Sequence, residues 1–274
     1  MTPDRTSQAR SWWLSWTSVR SPPNVPCVPG SGVREARKRA RHELLLTFER
    51  GLWARERVVA GIDEAGAGPL AGPVTAACVV LDPSQTDCLL GVDDSKRLSA
   101  KSRAELAKAI RAHALAYAVA HASVEEIETI NIRQAGILAM QRAFEGAQRV
   151  LTLKIEATQD SLRPAAGRRG GRHGGRPKRS EIDHVLVDAR HLPIETDQTE
   201  LIQGDARSLS IAAASILAKV SRDAIMIEAD DAFPAYGFRR NMGYGTPEHL
   251  CALRKHGASP FHRRTFAPMR SISS

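Results

Sequence analysis

The stretch Val58-Val59-Ala60-Gly61-Ile62 is apolar throughout and ends abruptly in two carboxylates, Asp63 and Glu64. Such a run reads as a buried strand. The Gly/Pro-rich turn that follows holds Gly66, Gly68, Pro69, Gly72 and Pro73, and Val74–Leu81 is apolar again. Two strands joined by so short a link form an antiparallel hairpin. Further on, residues 101–112 read as a helix and Ala114–Ala122 as a third strand, while residues 131–150 place Ile137, Met140, Ala143, Phe144 and Ala147 on one helical face. His184-Val185-Leu186-Val187 is a short strand ending in Asp188, and Leu201-Ile202 suggests another. Residues 208–230 are Ala-rich and helical, and Pro247–His256 makes a last short helix. Before the hairpin, residues 33–54 are helical, with Leu44, Leu45, Phe48 and Leu52 as a packing stripe. Strands, then alternation, then helices predict an α/β domain with a mixed central sheet, flanking helices and a C-terminal helical extension.

With 42% hydrophobic and 25% charged residues in a chain of 274, the composition is that of a globular protein, not of a disordered or fibrous one. No apolar run approaches the roughly 20 residues of a membrane span. Cys27, Cys78, Cys88 and Cys251 lack CxxC spacing, which argues against a disulfide scaffold or a cysteine zinc site and for a reducing, cytoplasmic setting. The net charge of +9 is local: seven of the 39 basic residues lie in residues 163–179, and the rest of the chain is nearly balanced at 32 against 30 acids. Charge alone therefore does not establish a nucleic-acid partner; a specific site must. Residues 1–32, rich in proline and serine, read as a disordered leader, and residues 33–274 as one catalytic domain. Within it, residues 152–180 read as a mobile basic Gly/Arg-rich loop.

Asp63 and Glu64 at one strand end repel each other unless a cation intervenes, and hard divalent cations take oxygen ligands. Asp188 repeats the arrangement, and Asp223 lies late in the Ala-rich helix. Taken singly, each is an ordinary polar strand end or a solvated helix face. In open α/β sheets, however, functional groups gather at strand ends, and converging carboxylates suit a two-cation site for phosphoryl hydrolysis. The turn Gly66-Ala67-Gly68 is either a plain hairpin turn or a set of backbone N–H donors open to phosphates and hydroxyls.

The segment from Val59 to Val74, with its Asp63-Glu64-Ala65-Gly66-Ala67-Gly68 core, resembles the opening motif of the ribonuclease HII family. In the family's order follow Asp94-Ser95-Lys96, Val185-Leu186-Val187-Asp188, the long block from Gly204 to Asp223, and a tail of Gly243-Tyr244-Gly245-Thr246 and His262-Arg263-Arg264-Thr265-Phe266. The resemblance implies a ribonuclease H-like fold. It also implies an endoribonuclease that hydrolyses the RNA strand of RNA–DNA hybrids and nicks 5′ of single ribonucleotides embedded in duplex DNA, in ribonucleotide excision repair. It places the Mg²⁺ or Mn²⁺ ligands and catalytic acids on Asp63, Glu64, Asp188 and Asp223. Gly66, Ala67 and Gly68 correspond to the turn that reads the ribose 2′-hydroxyl, Lys96 to a phosphate contact, and Tyr244 to a tyrosine stacking on the next sugar. The family's turn has arginine where this chain has Ala67, and its lysine before Gly204-Asp205 is Gln203 here. The partners expected are RNA–DNA hybrid and ribonucleotide-containing duplex, bound by a monomer without membrane attachment; a sliding-clamp contact is not readable from these residues. The alternative is a catalytically impaired hybrid-binding protein, which retention of all four acids argues against.

Overall fold

The computed structural model describes residues 32–161 and 180–270. The expected leader, except for residue 32, and residues 162–179 of the expected insert lie outside the described residues. Helices α1 (Gly32–Leu45) and α2 (Thr47–Trp53) precede strands β1 (Val59–Ala65) and β2 (Val74–Leu81). Then come α3 (Ala100–His113), β3 (Ala114–Ala122), α4 (Val124–Ser161), β4 (His184–Asp188), β5 (Asp197–Leu201) and α5 (Leu209–Ala232). The short helices α6 (Phe238–Asn241), α7 (Pro247–His256) and α8 (Ala267–Arg270) follow. The strands form one mixed sheet in the order β3-β2-β1-β4-β5. The β1–β2 and β2–β3 pairs are antiparallel, and β1–β4 and β4–β5 are parallel.

All eight residues of β2 are buried, because helices cover both sheet faces. Alternate residues of a strand face opposite ways: Val74, Ala76, Cys78 and Val80 pack with Met140, Ala143 and Ala147 of α4, while Ala77, Val79 and Leu81 pack with α3 and α5. The α5 backbone lies so close on β1 that a Cβ at Gly61 would come within 2.1 Å of the Ser210 carbonyl carbon. Only glycine permits that approach, and it sets the face that Asp63, two residues on, shares. A further apolar cluster joins Leu70 and Ala71 of the β1–β2 turn to Met226, Tyr236, Phe238 and Leu253, seating the C-terminal helices beside the turn.

Four expectations change in detail. The N-terminal stripe does not include Leu44, which is exposed; Leu45 and Leu46 are buried instead, because the chain breaks at Leu46 and the helical phase resets. Residues 152–161 belong to α4 rather than to the insert, since Leu151 and Ile155 extend its buried face. Asn131 is the cap of the long segment, accepting from the Arg133 and Gln134 N–H groups at 3.0 and 3.1 Å with φ 68°, and residues 124–130 form a helical turn before it. Strand β5 lies mainly ahead of Leu201-Ile202; as a polar edge strand, Asp-Gln-Thr-Glu-Leu, it carries little apolar signal. No helix among the described residues is long and apolar enough to cross a membrane.

Candidate active site

Ile62 pairs with Val187 across the parallel β1–β4 ladder, so the next residues, Asp63 two places before the end of β1 and Asp188 at the end of β4, lie side by side on neighbouring strands. Asp63 faces α5 and is only 5% exposed. Its Oδ1 accepts the Glu64 N–H at 2.7 Å, and its carboxylate also takes a hydrogen bond from Ser215 of α5. Ser215 in turn meets Ser95 at 2.9 Å, which ties the Asp94-Ser95-Lys96 segment to the strand end. Burial, then the charges of Asp188 and Glu64, push the Asp63 carboxyl well above the usual range. Glu64 is also raised, by burial first, against the opposing pull of Arg190 and with Asp188 adding to the rise. The Glu64 carboxylate accepts from Arg190 Nη2 at 2.6 Å, and Asp188 Oδ1 accepts from the Gly204 N–H at 2.7 Å. The structure thus brings Asp63, Glu64 and Asp188 into mutual electrostatic contact.

Asp223 stands eight residues beyond Ser215 on α5, about two turns or ~12 Å along the axis. It is held by Lys219 Nζ at 2.8 Å and by Arg103 at 3.9 Å. Arg103 also donates to the Ser95 and Leu98 carbonyls, at 2.9 and 2.6 Å, so Asp223 borders the same segment as Asp63. Among the described residues no three acidic, imidazole or thiol side chains form a ready metal cluster; Glu64 and Asp223 are engaged with Arg190 and Lys219. The donor chemistry nonetheless fits hard divalent cations. It is all carboxylate oxygen, and Asp63 and Glu64 bear the penalty of buried neighbouring negative charges that a cation removes.

Beside the acids lies the turn Gly66-Ala67-Gly68. Gly66 has φ +95°, and a Cβ there would come within 2.0 Å of Arg222 Nε. Ala67 is half-buried and Gly68 exposed. Tyr244 is 47% exposed rather than a core side chain, and its Cε1 lies 3.9 Å from where a Gly68 Cβ would sit. Lys96 Nζ bonds Asp205 at 3.1 Å. Partial burial pulls Lys96 down, but Asp205, Asp94 and Asp63 outweigh it and keep the ammonium charged. Gln203 is exposed in the left-handed conformation ahead of Gly204.

Several participants escape sequence reading. Arg190, Asp205, Ser215 and Arg103 hold the expected site residues in place, and Arg222 and Arg263 are buried at 1% and 0% exposure behind the turn. Both arginines sit in stretches whose motif character is visible, but arginine is ordinarily a surface residue and gives no sign of its burial.

The sequence pattern described as ribonuclease HII matches residues 60–164 and 173–269. A ribonuclease HII of Burkholderia thailandensis is 48% identical over 214 residues, covering 78% of this chain and 85% of that protein. The chain belongs to the ribonuclease HII family. It is therefore an enzyme of a hydrolytic nuclease family. Among solved structures, the ribonuclease H2 from Pyrococcus horikoshii OT3 superposes with a TM-score of 0.52 at 23% identity, covering 78% of this chain and 96% of its own. Bst-RNase HIII in complex with Mn²⁺ gives 0.55 at 17%, covering 99% and 81%. These likenesses bear on the fold, which is ribonuclease H-like.

Proposed function

We propose that this ribonuclease HII hydrolyses the RNA strand of RNA–DNA hybrids and nicks duplex DNA 5′ of a single embedded ribonucleotide, leaving a 3′-hydroxyl. The observation that carries this reading is the side-by-side placement of Asp63 and Asp188 next to a glycine turn whose exposed Gly68 lies beside Tyr244. Asp63, Glu64, Asp188 and Asp223 would hold two divalent cations, Mg²⁺ or Mn²⁺. The bound cations supply activation of the attacking water and stabilisation of the leaving 3′-oxygen. The Mn²⁺ in Bst-RNase HIII supports a divalent ion of this kind. The protein's own groups do the rest. The N–H groups of Ala67 and Gly68 meet the ribose 2′-hydroxyl, Lys96 meets a backbone phosphate, and the half-exposed Tyr244 ring stacks on the sugar of the following deoxynucleotide. To hold cations, Glu64 would have to give up its ion pair with Arg190, and Asp223 its ion pair with Lys219. The enzyme works as a cytoplasmic monomer in ribonucleotide removal from DNA.

The test is incision of a duplex carrying one ribonucleotide, in Mg²⁺, in Mn²⁺ and in EDTA. A single nick 5′ of the ribonucleotide with either ion, and none in EDTA, is expected. Incision that persists in EDTA, or that falls on the other side of the ribonucleotide, would overturn the assignment.

A further inference from the structure

The tail motif His262-Arg263-Arg264-Thr265-Phe266 has no part in the chemistry above, yet Arg263 is among the largest fully buried side chains. Its guanidinium faces the β1–β2 turn and spends all five of its N–H donors there. Nε donates to the Gly72 carbonyl at 2.8 Å. Nη1 donates to Ala67 and Pro69 at 3.1 and 2.8 Å, and Nη2 to Gly66 and Pro73 at 2.7 and 3.1 Å. Phe266 lies under the guanidinium at 5.1 Å. Every acceptor is a neutral carbonyl, and no ion pair of Arg263 exists among the described residues. Burying a cation without a counter-ion is costly, and here the cost is offset by the five carbonyls that the guanidinium satisfies.

We infer that Arg263 is the positioning residue of ribose recognition: by holding the Gly66 and Ala67 carbonyls inward, it fixes the Ala67 and Gly68 N–H groups outward toward the 2′-hydroxyl. The step from one to the other is covalent geometry. A trans peptide is planar, and its C=O and N–H point in opposite directions. The Gly66 carbonyl shares a plane with the Ala67 N–H, and the Ala67 carbonyl with the Gly68 N–H. With both oxygens pinned to one guanidinium, neither plane can flip, and neither N–H donates to an acceptor among the described residues. The donors are thus set before substrate arrives, which spares the ordering cost on binding. The planar fork is essential, since lysine offers three donors on one nitrogen and cannot span five carbonyls. Arg222 holds the outer part of the loop through the Ala71, Pro73 and Met242 carbonyls and leaves the Gly66 and Ala67 oxygens to Arg263.

The inference rests on the proposed reading of this turn as the ribose reader, and the test separates the two. In EDTA, which keeps the strand whole, affinity for a duplex with one ribonucleotide is compared with that for the all-DNA duplex, in the natural protein, Arg263→Lys and Phe266→Leu. The preference for the ribonucleotide should fall roughly fivefold to thirtyfold in Arg263→Lys, the worth of one or two neutral hydrogen bonds, while all-DNA affinity stays within about twofold. Phe266→Leu keeps every donor but removes the ring beneath the guanidinium, and should lose preference in the same direction. Should Arg263→Lys not fold, Phe266→Leu decides alone. Backbone exchange at Ala67 and Gly68 in the natural protein should slow with the ribonucleotide duplex and not with all-DNA duplex. If those amides are indifferent to the ribonucleotide while incision is normal, the turn does not read ribose and the inference falls with that reading. If they slow, and the folded variants keep the natural preference, the ribose reader stands and Arg263 is not what positions it.

Discussion

Asp63 is expensive to the fold, and in the proposed mechanism the chemistry depends on it. Buried against α5 and facing two other carboxylates, its charged form is disfavoured by desolvation and repulsion. Asp63→Asn keeps the volume and removes the charge. Turnover should fall by more than about a hundredfold, since even partners of metal ligands contribute 10–100-fold, while the melting midpoint should be no lower than that of the natural protein. Single-turnover incision and thermal melting check the two halves, and substantial activity at saturating Mg²⁺ would sink the ligand assignment. Ala67 is the converse case, a position where charge is missing. Its carbonyl is already held by Arg263, so a new side chain there leaves the turn's backbone in place. Ala67→Arg should therefore tighten duplex binding about tenfold to a hundredfold at low salt through a charge-assisted phosphate contact, with the gain shrinking as salt rises. An affinity that does not change, or a gain indifferent to salt, would count against the contact. The acids were legible because a short apolar run that stops at a carboxylate is a pattern in the chain itself. Arg190, Arg222 and Arg263 were not, because their partners in β1 and the turn after it (Glu64, Ala71 and Gly66) lie 126 to 197 residues away in sequence and only the fold joins them.

Among the elements, the β1–α5 contact does most to shape the site. The α5 N-terminus is anchored from the other side by Glu49 of α2, fully buried and accepting from Ser208 Oγ, Ser210 Oγ and the Ser210 N–H at 2.5, 2.7 and 2.9 Å. With α5 held there, a methyl at Gly61 meets backbone that has nowhere to move. Gly61→Ala should cost about 1–3 kcal/mol or more, the range for overpacking a tight core, and should also reduce incision by displacing Asp63 from Ser215. Denaturant unfolding and incision of the same preparation provide the check; a variant as stable as the natural protein would mean that α5 is less firmly seated than Glu49 implies. The strands β1, β2 and β4 were legible because each is apolar and bounded by turn residues or acids, and β3 because a largely apolar run follows a charged helix directly. Strand β5 and the Glu49 anchor were not. A polar edge strand and a buried carboxylate in a charged helix both resemble solvent-facing sequence until their neighbours are known.

Across the whole molecule, stability and charge respond to solution conditions in ways that can be read separately. His262 accepts from the Ser259 N–H at 3.0 Å and lies 3.0 Å from His249, whose ring reaches the Tyr244 carbonyl. Burial, and then His249, bring His262 from its ordinary 6.5 down to about 4. Between those values the unfolded chain binds more protons than the folded one, so stability rises with pH across the window. The contribution is complete above about pH 6.5 and is lost as pH falls toward 4, roughly 3 kcal/mol at 1.36 kcal/mol per unit. His262→Gln should be the less stable protein at pH 8, with the gap closing on acidification; buried carboxyls common to both cancel in the comparison, and a gap constant with pH would contradict the neutral histidine. Charge behaves differently. Seven basic residues in residues 163–179, outside the described residues, account for most of the net +9, and the remaining 32 basic and 30 acidic residues nearly cancel. Long-range attraction to a polyanion then resides chiefly in that segment, whereas the acids, the glycine turn and Tyr244 lie on the described fold. Deleting residues 163–179 should weaken duplex binding at low salt and reduce the slope of log K against log salt by up to about six, the limit if all seven charges meet phosphates. The single-turnover rate at saturating substrate should stay within about twofold. A folded deletion protein that binds normally but no longer cleaves would place the segment in the active site instead, and would mean that the near-neutral remainder of the chain is not by itself the catalytic unit.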